Sequence, residues 1–68
     1  MSRPADLIGM DINKLIIETR ETYKFLMEAK EPSTSLMTRL EYLYDELKDR
    51  GYTITERVEL IILKEDDL

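Results

Sequence analysis

The chain contains no cysteine, no histidine and no tryptophan among its 68 residues, and it has only two glycines and two prolines. Without cysteine there is no disulfide, and without either thiol or imidazole the usual nucleophile and base pairs of hydrolases are missing. A metal site would have to be built from carboxylates alone. The two glycines, Gly9 and Gly51, stand apart from any Lys-Ser/Thr pair, so no phosphate-binding loop is present. No apolar run approaches the roughly 20 residues that cross a bilayer, and the N-terminus lacks the pattern of a signal peptide. These absences predict a cytoplasmic, non-enzymatic protein with no cofactor and no metal.

Hydrophobic residues make up 43% and charged residues 37%, a balance that predicts a folded chain of amphipathic helices rather than a disordered one. The length fits a single small domain over residues 1–68, with residues 1–10 as a lead-in and 65–68 as a frayed acidic tail. A chain this short buries only about 60% of its unfolded surface. Disulfides being excluded and metals disfavoured, self-association is the expected source of further stability, and a homodimer is the predicted state. Fifteen acidic against ten basic residues give a net charge of −5, which disfavours nucleic acid and favours a protein partner. No membrane partner is expected.

Three segments carry the pattern. Asp11 reads as an N-cap, followed by a helix from about Ile12 to Lys30 with Ile12, Leu15, Ile16, Thr19, Tyr23, Leu26 and Met27 on one stripe. Ile17 and Phe25 fall outside that stripe and widen the apolar arc. The break Ala29 to Ser35 is short enough to turn a second helix back antiparallel to the first. That second helix starts near Ser35 and places Leu36, Leu40, Leu43 and Leu47 on one face, with Met37 and Tyr44 one step round. With Arg50 as C-cap, Gly51 closes the helix in the left-handed conformation, and Tyr52 and Leu47 take the positions of a Schellman contact.

Beyond Gly51 two readings compete. Thr53 and Glu56 have capping-box spacing, and Ile54, Val58, Ile61 and Ile62 follow a helical period, which favours a short third helix. The strand propensity of Tyr52 to Thr55 and of Val58 to Leu63 supports a β alternative, which needs a pairing partner such as the same strand in a second copy. The favoured fold class is therefore all-α: an antiparallel helical hairpin with a short third helix, in a dimeric bundle.

Two partial resemblances bear on function. Leu47 to Leu63, LKDRGYTITERVELIIL, resembles the end of some winged-helix or helix-turn-helix regulators, in which a helix, a Gly-Tyr turn and a second helix follow in that order. The resemblance implies DNA recognition by the helix after Ile54, although that segment carries Glu56, Glu59 and Glu65 against Arg57 and Lys64. The segment Ile12 to Tyr44 is similar in layout to the Spo0E-like aspartyl-phosphate phosphatases. Their Ser-Gln-Glu-Leu-Asp signature is absent, with Met37-Thr38-Arg39-Leu40-Glu41 and Tyr44-Asp45-Glu46-Leu47-Lys48 in the region, so no catalytic role carries over.

The reading that follows is a small protein–protein interaction module, a regulator, adaptor or inhibitor that docks an amphipathic helical face on a larger protein. The residues expected to contribute are Ile17, Phe25, Met37 and Tyr42 as an apolar patch, with Asp45, Glu46 and Asp49 as an acidic rim that steers a basic surface. DNA binding is the alternative, and a phosphoprotein phosphatase a more distant one.

Overall fold

A computed structural model describes residues 4–67, so position 68 of the expected tail and positions 1–3 of the lead-in lie outside it. The order of elements is α1 (Ala5–Ile8), α2 (Ile12–Glu28), α3 (Thr34–Asp49), β1 (Tyr52–Thr55), β2 (Ile61–Lys64) and a closing 3-10 turn (Glu65–Asp67).

Local chemistry sets the helix ends. The Asp11 carboxylate accepts from the Asn13 amide at 3.0 Å and opens α2. Ser33 caps α3, its Oγ 3.4 Å from the Leu36 amide, so the helix begins at Thr34, one residue before the expected Ser35. At its other end α2 stops at Glu28, two residues before the expected Lys30, as the chain becomes extended at Ala29 (φ −68, ψ 137). The return to α3 uses residues 29–33, and Pro32 disfavours helix at Glu31. Arg50 is the C-cap of α3, and Gly51 at φ 88 donates to the Lys48 carbonyl at 3.0 Å, one bond of the predicted Schellman ending.

The two long helices pack against each other, with Leu15, Leu43 and Leu47 fully buried between the layers alongside Leu7 from α1. Each such burial contributes about 1.5 to 3 kcal/mol. Thr19, also fully buried, donates its hydroxyl to the Leu15 carbonyl at 2.7 Å, which satisfies it inside the core. α1 is docked on α3 by Arg50, whose guanidinium donates to the carbonyls of Met10 (2.7 Å), Leu7 (3.0 Å) and Ile8 (3.2 Å) and pairs with Glu46 at 2.8 Å. Arg39 ties the same lead-in to both long helices, reaching Asp6 at 2.9 Å and Glu18 at 2.7 Å.

The third helix does not form, and the all-α assignment is corrected to a mixed fold. Residues 52–55 and 61–64 pair as an antiparallel hairpin in the register Tyr52↔Lys64, Thr53↔Leu63, Ile54↔Ile62 and Thr55↔Ile61. The partner that the strand reading required is thus the chain's own other arm, reached through residues 56–60. Thr53 and Glu56 form no capping box because Thr53 lies within β1 and Glu56 just beyond it. The helical stripe is also dissolved: Ile54 and Ile62 face the core, Val58 is 96% exposed in the connecting loop, and Ile61 points outward. Leu60, which the helical reading placed off the stripe, is buried instead. The helix on which the helix-turn-helix resemblance rested is replaced by this hairpin.

Candidate functional site

Four of the eight large apolar side chains that stand exposed among the described residues, Met27, Val58, Ile61 and Leu63, line one groove of about 670 Å³. Its helical wall is the C-terminal half of α2, where Arg20, Tyr23, Lys24, Met27 and Glu28 recur at spacings of three, one, three and one on one side of the helix. Its other wall is six consecutive residues, Val58 to Leu63. No β1 residue takes part, so the groove lies on the side of β2 turned away from β1.

The backbone along that side is unpaired. The Glu65 amide donates to the Gly51 carbonyl at 2.8 Å, continuing the ladder by one step, which fixes which residues of β2 bond to β1. In an antiparallel ladder hydrogen-bonded pairs alternate with pairs whose amide and carbonyl groups point outward. Residues 61, 63 and 65 therefore face β1, while the N–H and C=O of Ile62, the N–H of Lys64 and, by the same alternation, the groups of Leu60 face the groove; the Lys64 carbonyl opens the 3-10 turn that follows. Ile62 and Leu60 are each only 7% exposed, yet no described residue pairs with these backbone groups.

The groove's position is held by Tyr23. Its ring is buried in the core and its hydroxyl donates to the Arg57 carbonyl at 2.7 Å, anchoring the start of the second hairpin arm to α2. Lys24 and Arg57 flank this end and make no ion pair among the described residues. Beside this wall, Tyr44 has its hydroxyl enclosed without a partner; burial pushes its ionisation above the ordinary tyrosine range, and the charge of Glu56 adds to the effect. The lining supplies apolar contact, two cations (Arg20 and Lys24), two carboxylates (Glu28 and Glu59) and an open strand edge. No cluster of three or more metal-ligating side chains occurs among the described residues, and no described helix is long and apolar enough to cross a membrane.

The side chains singled out from sequence are dispersed. Ile17, Phe25 and Met37 are exposed, as are Asp45 and Asp49. Tyr42 is half-buried and packs against the core. Met37 and Tyr42, five residues apart on α3, are turned about 140° from each other, so they do not share a face. Glu46 is not part of a solvated rim. It is 7% exposed and bound to Arg50, which makes it a structural group. Of the groove's exposed apolar residues, the helical period puts Met27, Val58 and Ile61 on core stripes, and Leu63 enters only through the strand alternative. The available signal was Leu60-Ile61-Ile62-Leu63, apolar at four successive positions, where a strand with one solvent face alternates. β1 does alternate, with Tyr52 and Ile54 half-buried and Thr53 and Thr55 exposed.

Comparison with protein-family models, with curated proteins and with solved structures finds no match to this chain.

Proposed function

We propose that the protein is a small non-enzymatic interaction module, acting as a regulator or adaptor, and that it holds an extended polypeptide segment in the groove between α2 and β2. The observation that carries this reading is the coincidence of an unpaired strand edge with four exposed apolar side chains along the same groove. Strand addition supplies affinity through main-chain hydrogen bonds, and flanking pockets for alternate side chains supply selectivity. Asp45 and Asp49, exposed on α3, add a negative field that steers a basic partner and weakens with salt.

The test places a photoreactive side chain at position 58 in the groove loop, with position 25 on α2 as the control. Adducts from position 58 that map to extended apolar segments of polypeptide, whether of this chain or another, support the reading. Equal labelling from both positions overturns it.

A further inference from the structure

We infer that the segment held at this edge is β2 of a second copy, joined antiparallel about a two-fold axis normal to the sheet to give a four-stranded sheet in the order β1-β2-β2′-β1′. This rests on the groove being the docking surface. The sequence of β2 argues for it. An exposed edge strand rich in apolar side chains is a ready template for pairing with another chain, and β2 is such an edge, with Ile61 37% and Leu63 45% exposed. β1, which packs against α3 and carries threonine on its outer face, has the composition of a sheet's boundary.

The register follows from the backbone. A two-fold normal to the sheet keeps each copy's core face on the same side, so inward residues oppose inward residues. The outward-pointing groups of β2 belong to Leu60, Ile62 and the Lys64 amide, and they pair when Ile62 faces Ile62 of the second copy and the Lys64 amide of each copy meets the Leu60 carbonyl of the other. In that register Ile61 and Leu63 become non-hydrogen-bonded neighbours across the axis, the pairing in which side chains come closest. Ile61 and Leu63, which each copy leaves exposed, then cover one another's flanks. The charges agree at the ends: Glu65 and Asp66, which follow β2, are carried alongside Val58 and Glu59 of the other copy, where Lys24 and Arg57 stand without ion-pair partners among the described residues. The facing of Glu59 and Glu65 is the one opposed contact, and it lies at the rim.

The edge geometry supplies a selective variant. Because the Lys64 amide points away from β1, Lys64→Pro leaves the intrachain ladder intact but removes a donor from the joint and sets a proline ring in its path. Molar mass by light scattering should read two chains for the parent and for Lys64→Ala, and one chain for Lys64→Pro with unchanged circular dichroism. Should Lys64→Pro fail to fold, the parent itself decides: in a mixture of differently labelled copies, an interchain NOE between the α-protons of Ile61 and Leu63 is expected, a contact too long within one strand. A parent that stays monomeric at all concentrations, a dimer lacking that NOE, or a folded Lys64→Pro variant that remains dimeric overturns the proposal. A monomer that still crosslinks from position 58 to an extended segment of another protein leaves the interaction-module reading standing, so the two failures are separable.

Discussion

The Tyr23 hydroxyl and the Arg57 carbonyl, 34 residues apart in sequence, lie 2.7 Å apart and join the second helix to the tip of the hairpin. This bond fixes the distance between the groove's two walls at one end. Tyr23→Phe keeps the buried ring and deletes only the donor, so the expected loss of stability is about 1 kcal/mol. Urea denaturation should show that decrease, and amide exchange should quicken around residues 56–60 while α2 and α3 keep their protection. An unchanged exchange pattern would show that the bond does not hold the loop.

Arg50 organises the opposite end of the molecule. Its guanidinium satisfies three carbonyls around the end of α1 and pairs with the nearly buried Glu46. Arg50→Leu removes these bonds and withdraws the cation beside Glu46, which is expected to cost about 2 to 3 kcal/mol. Limited proteolysis should then cut between Ile8 and Asp11 much faster than in the parent, a result that simple loss of surface charge would not produce.

Tyr44 predicts an alkaline limit. Its ionisation is raised in the fold by burial, whereas in the unfolded chain it lies near the ordinary value of 10.0. Stability from this group is therefore complete below pH 10 and is lost as pH rises above it, because only the unfolded state gains by releasing the proton. Tyr44→Phe should flatten that decline. Since the hydroxyl has no partner, the same change should leave neutral-pH stability equal or slightly higher, within about 1 kcal/mol.

Asp6 gives the corresponding acidic limit. The hydrogen bond from Arg39 holds its carboxyl below the ordinary 3.8, so its contribution is present above that value and lost as pH falls below it. The group is exposed, and the effect should be small and reduced by salt. Thermal melts of Asp6→Asn and the parent should be separate above pH 4 and draw together as the pH falls below 3.8.

Gly51 closes α3 at φ 88, with open space where a Cβ would project. Gly51→Ala should therefore lose about 1 kcal/mol through backbone conformation alone, without a packing defect. A larger loss in chemical denaturation would mean that the hairpin departs from its position when the turn is strained.

The sequence by itself determined the two long helices, because their signals are local: a cap at Asp11, the period of the leucine stripes, and a glycine placed where α3 must end. It also determined that Arg50 would be the C-cap, though not that its side chain would reach back 40 residues to Met10. The hairpin was decided by tertiary structure. Residues 54–63 satisfy a helical period and a strand pattern about equally, and local propensity differs by less than the free energy of burying Ile54, Leu60 and Ile62 together on the helical layer. The same long-range choice moved Val58 out of the core and put Met27 and Leu63 on one groove. The groove could not be read from any one segment, since it exists only where a helix and a strand 30 and more residues apart are brought side by side without quite meeting.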